Sequence, residues 1–79
     1  MKNTLIENIV RLHTTELGAG RIRRNLGLTE DPVEWVRSKI MDKNAVIDRQ
    51  GKNWYVSVDS CVITVNAGSY TIITAHREK

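Results

Sequence analysis

Phenylalanine is absent from this 79-residue chain, and its rings are limited to Trp35, Trp54, Tyr55 and Tyr70. A core must therefore come mainly from aliphatic side chains. The one cysteine, Cys61, excludes an intramolecular disulfide. Within an apolar stretch a lone Cys reads as a small buried hydrophobe. No apolar run approaches the ~20 residues a membrane span needs, and no N-terminal stretch has the apolar length of a signal peptide. The expectation is a cytoplasmic protein with no membrane partner. Two histidines, His13 and His76, stand far apart and far from Cys61, without the paired spacing of zinc ligands. Gly18-Ala19-Gly20 is followed by Arg-Ile-Arg, which is not the Gly-Lys-Ser/Thr ending of a phosphate loop, and no strand precedes it. Neither a metal nor a cofactor is expected.

A chain of this length accommodates one domain, residues 1–79, and buries only roughly 60–65% of the surface its unfolded form exposes. Function must sit on one face or in one shallow cleft, or require a partner chain. The 12 Lys+Arg and 9 Asp+Glu leave a net charge of +3, modest for a dedicated nucleic-acid binder. The excess lies in the first third and is concentrated in Arg21, Arg23 and Arg24.

Residues 3–16 have helical spacing in Leu5, Ile6, Ile9, Leu12 and His13, with Thr4 and Glu7 in the form of a capping box. A second short helix over 17–28 would be capped by Thr15 and ended by Gly27, with Ile22 and Leu26 sharing a buried stripe and the three arginines on its flanks and outer side. Gly18 and Gly20 weaken its start, and they also suit a turn between the first two helices. Asp31-Pro32-Val33-Glu34 opens the clearest helix, 32–41: an Asp cap, a Pro at the first helical position and a Glu three residues after the cap. Val33, Val36 and Ile40 form its buried stripe, with Trp35 at an edge of the core.

From residue 44 the period becomes alternating. Strands are expected at 45–47, 54–58, 61–65 and 70–75, separated by turns at Arg49-Gln50-Gly51-Lys52, Asp59-Ser60 and Asn66-Ala67-Gly68-Ser69. Such short connections make an antiparallel meander. The fold class expected is thus α+β: two or three N-terminal helices packed on one face of a four-stranded antiparallel sheet, the other face open to solvent.

Several residues carry candidate chemistry. Arg21, Arg23 and Arg24 offer planar forks of donors that suit phosphate oxygens, although a solvated helix face carries the same residues. His76, at the rim of the last strand beside Arg77, is placed to act as a general acid or base; its bland reading is a frayed terminal residue. Tyr55 and Tyr70 fall on opposite sheet faces, so one of them at most is free to stack on a base. Lys52 and Arg77 are candidate phosphate clamps. His13 reads as a core-edge histidine.

Gly51-Lys52-Asn53-Trp54-Tyr55, Ile63-Thr64-Val65-Asn66, Ser69-Tyr70-Thr71-Ile72-Ile73-Thr74-Ala75-His76 and, upstream, Arg21-Ile22-Arg23-Arg24-Asn25-Leu26 occur here in that order. In these segments the chain resembles a family of short bacterial proteins known only as domain of unknown function 3781. The resemblance implies one domain and a bacterial or phage origin, and no activity. The order of elements is also similar to that of barnase-like and RelE-like ribonucleases, whose catalytic groups come from the sheet face and rim; no acid stands as a paired base on the strands except Asp59, and it falls in a turn.

Three functions follow as expectations. The leading one is a small binding protein that acts on nucleic acid, RNA in particular, or on a protein partner through the Arg-rich helix and the exposed sheet face. The second is a metal-independent ribonuclease with His76 as acid or base, Tyr55 beside it, and Arg77, Lys52 and the arginine cluster on the phosphate. The third is a homodimer formed through an exposed edge at residues 70–75.

Overall fold

The computed structural model describes residues 4–78. Helix α1 (Thr4–Glu7) is followed by a 3-10 turn (Ile9–Arg11), α2 (Glu16–Leu26) and α3 (Pro32–Ile40). Four strands follow: β1 (Val46–Gln50), β2 (Asn53–Val58), β3 (Cys61–Asn66) and β4 (Ile72–Arg77). They pair in chain order as an antiparallel meander. The expected α+β layering is what forms.

The strand register sorts every side chain. Val56 faces Ile47 on one side and Ile63 on the other, and Ile63 faces Ala75. These residues, with Trp54, Val58, Cys61, Val65 and Ile72, make the helix-facing side of the sheet. Leu5, Leu12, Ile22, Leu26, Val36 and Ile40 close on it from the helical layer, and all are buried. Each fully buried Leu, Ile or Val adds roughly 1.5–3 kcal/mol, so a core of this size tolerates few losses. Cys61 is a buried thiol, as its apolar setting implies.

Helix α2 begins where Thr15 accepts a hydrogen bond from the Gly18 amide, and it ends at Gly27, which takes the left-handed conformation (φ 66°). Gly18 and Gly20 lie inside this helix and not in a turn before it. Helix α3 starts at Pro32, with Asp31 accepting from the Val33 amide. The Glu34 carboxylate pairs with Arg37 one turn along. Trp35 is half-buried at the edge of the core.

Three expectations change, the first at β1, which runs on to Gln50 and takes Arg49 and Gln50 out of the expected turn by pairing them with Trp54 and Asn53. The continuous helix over 3–16 does not form among the described residues: Leu12 is already extended (ψ 135°), and His13 is joined by a parallel bridge to Thr71, the residue before β4. The His13 amide donates to the Tyr70 carbonyl and its carbonyl accepts from the Ile72 amide. Two tertiary backbone bonds outweigh helical spacing that would have satisfied the same groups locally. Thr4 lies in α1, and residue 3 falls outside the described residues. The last strand also starts later and runs further than expected, 72–77 in place of 70–75, because Tyr70 takes a left-handed φ of 60° and prolongs the turn. His76 and Arg77 are therefore strand residues. A bulge between Thr64 and Val65 leaves Ile73 as the extra residue of β4.

A Cβ added at Gly18 would run into the Thr14 hydroxyl and come within 3.2 Å of the Thr15 hydroxyl, whereas one added at Gly20 meets nothing within 4 Å. Thr14 donates that hydroxyl to the Ile72 carbonyl and Thr15 caps the helix, so both groups are already committed. Gly18→Ala is expected to cost about 1–3 kcal/mol through overpacking. Gly20→Ala is expected to add about 0.5–1 kcal/mol through helix propensity. Urea denaturation of the two variants beside the parent checks the opposite signs.

Candidate functional site

The sheet face away from the helices carries Asp48 and Gln50 from β1, Asn53, Tyr55 and Ser57 from β2, Thr64 and Asn66 from β3, and Thr74 and His76 from β4; Val46 and Val62 are its two apolar members. No described helix covers it. Tyr55 occupies the centre, between Asp48 and Thr64, and is half-buried. Asn53 reaches its hydroxyl at 3.4 Å. Tyr70 is on the helix-facing side and buried, so Tyr55 is the ring available on this face.

The candidate residues do not converge on one point. Lys52 sits in the exposed turn between β1 and β2, beyond the Asn53–Asn66 row, whereas His76 lies opposite Val62 towards the other end of the strands. Four residues of extended chain separate those rows, roughly 13 Å at about 3.3 Å per residue. Arg77 points to the helical side and donates to the Leu26 carbonyl at 3.3 Å, where a cation complements the C-terminal end of α2. The His76 ring rests on the Arg77 carbonyl at 3.2 Å. Arg21, Arg23 and Arg24 are all exposed on α2. At about 100° per residue, Arg21 and Arg23 leave opposite flanks of the buried stripe and Arg24 its outer side. They form a collar of charge and not a single grip.

The outer side of β4 is occupied where the chain-pairing expectation required it open. His13 takes the Ile72 amide, Thr14 takes the Ile72 carbonyl at 2.9 Å, and Asn25 of α2 donates to the Ala75 carbonyl at 3.3 Å. A second chain pairing there has these bonds to displace.

A second group of residues converges where the sequence reading placed nothing. At the end of the sheet shared by the β1–β2 and β3–β4 turns, the Arg11 guanidinium stacks 4.4 Å from the Tyr70 ring centre, Tyr70 lies 5.3 Å from Trp54, and the Arg49 guanidinium stacks 5.4 Å from Trp54. Arg49 reaches Trp54 because the two-residue turn at Gly51-Lys52 sets them opposite each other. Beside this ladder, Ser69 and Thr71 share a hydrogen bond of 2.7 Å, and Thr71 lies 3.1 Å from His13 Nε2. His13 Nδ1 is 2.9 Å from the Arg11 carbonyl, an acceptor only, which assigns a proton to Nδ1. Asn66 Oδ1 holds the turn by accepting from the Gly68 and Ser69 amides. His13 is thus an exposed, oriented imidazole and not a core-edge residue.

Signals for this end existed in part. A Gly at the first position of a two-residue hairpin loop implies the pairing of Arg49 with Trp54. The meeting of Arg11 with Tyr70 joins positions 59 residues apart, and no local pattern announces it. At the far end of the sheet, Lys39 pairs with Asp59, and that hydrogen bond raises the lysine pKa above its usual value against a small opposing effect of burial. Among the described residues no group of histidine, cysteine and carboxylate side chains fits a metal ion, and no pocket forms.

The architecture defines a small α+β protein whose helical layer covers one face of an antiparallel meander and leaves the other bare. The chain belongs to the family described as protein of unknown function (DUF3781), whose model matches residues 6–76. No curated protein and no solved structure matches it, and the likeness to barnase-like and RelE-like ribonucleases is not confirmed.

The segment that carries Arg11 and His13 is held against α3 by Arg37, which donates to the carbonyls of Ile9, Val10 and Leu12 at 3.3–3.4 Å. Arg37→Met keeps the aliphatic stem and removes the fork. Hydrogen bonds from a charged donor contribute about 1.5–3 kcal/mol, and a loss of that size is expected, with faster hydrogen exchange at the His13 and Ile72 amides. Arg37→Lys should not restore protection, because an ammonium cannot span three carbonyls in one plane. Unchanged exchange at both amides would show that the segment is held by other contacts.

Proposed function

We propose that this protein binds single-stranded RNA on the bare face of its sheet. The observation that carries the reading is Tyr55, a single half-buried ring at the centre of a face made mostly of amide, hydroxyl and imidazole side chains, with Asp48, Val46 and Val62 as its other members. A base has two recognition surfaces, a π-face and a hydrogen-bonding edge. Tyr55 offers the first a platform. Gln50, Asn53, Ser57, Asn66, Thr74 and His76 surround it with donors and acceptors for the second. Asp48 is the one acid on the face, and Gln50 already donates to it at 2.6 Å. The α2 arginines and the net charge of +3 supply the long-range attraction that a polyanion needs.

Binding of an unstructured RNA 12-mer, followed by fluorescence anisotropy at low salt, tests the reading. Stacking of one base contributes about 1–3 kcal/mol, so Tyr55→Ala is expected to weaken binding roughly 5- to 150-fold. The triple Arg21/Arg23/Arg24→Ala variant is expected to weaken it and flatten its salt dependence. Absence of binding, or equal affinity in Tyr55→Ala, refutes the reading and turns the bare face towards a protein partner.

A further inference from the structure

We propose that the ladder Arg11–Tyr70–Trp54–Arg49 is a receptor for a phosphate group. For the source of that phosphate the proposal rests on the RNA reading; for the site itself it does not.

The arginines of this molecule fall into three kinds. Arg37 and Arg77 spend their donors on backbone carbonyls of the helical layer, and their task is structural. Arg21, Arg23 and Arg24 are exposed, with no described hydrogen bond from their side chains, ion pair or ring contact. Arg11 and Arg49 differ from both. Each is laid on an aromatic ring, and neither forms an ion pair among the described residues. Arg49 gives only Nε–H, to the Gly51 carbonyl at 3.0 Å, and the Arg11 guanidinium makes no described hydrogen bond.

Stacking has a chemical consequence. A guanidinium held by the π-face of a ring directs its N–H donors sideways, in its own plane and away from the ring. The two side chains have already lost much of their rotamer freedom to the stack, so less remains to be lost when an anion binds. Donors so arranged match the oxygens of a phosphate, which they grip two at a time. Tyr70 and Trp54 also pack against each other, tilted by 34°, and both are buried, so each guanidinium group rests on a fixed ring.

The surroundings suit the same ligand. Lys52 lies in the turn that follows Arg49, exposed and with no described acidic partner. Ser69, Thr71 and His13 form their hydrogen-bonded chain next to Arg11 and offer hydroxyl and imidazole groups to further oxygens. Cations at positions 11, 49 and 52 are carried to the same end of the sheet by the fold, with the Tyr70–Trp54 pair between the two guanidinium groups.

Pyrophosphate and the unstructured RNA 12-mer are the two probes, with NMR of the arginine Nε–H and tryptophan indole N–H groups as readout. Saturable shifts at Arg11, Arg49 and Trp54 on adding pyrophosphate, larger than any at Arg21, Arg23 or Arg24, are expected. They should vanish in Arg11→Gln/Arg49→Gln; the wild-type shifts stand as a test even where that variant unfolds. Displacement of pyrophosphate by the RNA identifies a strand phosphate as the ligand. Pyrophosphate binding that RNA does not displace identifies a free or nucleotide phosphate: the receptor then stands, and the sheet-face reading is decided separately by Tyr55→Ala. Absent shifts at the ladder, or equal shifts at all exposed arginines, overturn the proposal whatever the RNA does at Tyr55.

Discussion

The seam between residue 13 and the start of β4 is the constraint on which the rest of the structure depends. His13 gives its amide to Tyr70 and takes the amide of Ile72, so three extended residues after the 3-10 turn are spliced onto the edge of the sheet. That splice stops the first helix, sets Thr14 against the Ile72 carbonyl and leaves Thr15 in the extended conformation a helix cap needs. Helix α2 is launched along β4 from there, near enough for Asn25 to reach Ala75. The start of the β4 edge is thereby covered from within, one of the standard remedies for a β-sheet edge.

The seam needs backing on its other side, and Arg37 provides it. Of the carbonyls at the end of this turn, that of Ile9 accepts from the Leu12 amide, and those of Val10 and Leu12 lie where a short turn supplies no helical partner. A planar fork from α3 satisfies three of them together, and its own charge is balanced by Glu34. A small core gains from this arrangement. Leu5 and Leu12 are buried to 0% and 2% exposure only because the irregular segment between them is pinned. Polar satisfaction and apolar burial are coupled here, and neither would hold the segment alone.

Charge is distributed by the same geometry. Structural arginines face inward to carbonyls, the α2 arginines ring a helix, and Arg11, Arg49 and Lys52 are gathered at one end of the sheet. At the opposite end Lys39 and Asp59 join α3 to the β2–β3 turn, whose residues Asp59 and Ser60 both take left-handed φ values. The bare face between these ends is polar, with one ring.

Local patterns in the amino-acid sequence were enough for the elements and their layering. Thr15 and Gly27 bound α2, Asp31-Pro32 opens α3, and alternation from Trp54 to Val58 and from Cys61 to Val65 assigns each residue to a face, because caps and side-chain periodicity act over a few residues. The same alternation set Tyr55 and Tyr70 on opposite faces, but which of them lies on the open face, and that β4 runs on through His76, came from the tertiary structure. Tertiary structure decided what depended on distant partners. Helical spacing over 3–16 gave way to backbone pairing with residues nearly sixty positions later, and Arg11 and His13 became parts of a site through that pairing. Arg77 exchanged a candidate phosphate for a helix carbonyl for the same reason. A hydrogen-bond donor or a cation carries no record in its neighbours of which distant acceptor or ring will meet it. That is settled only when the chain closes on itself.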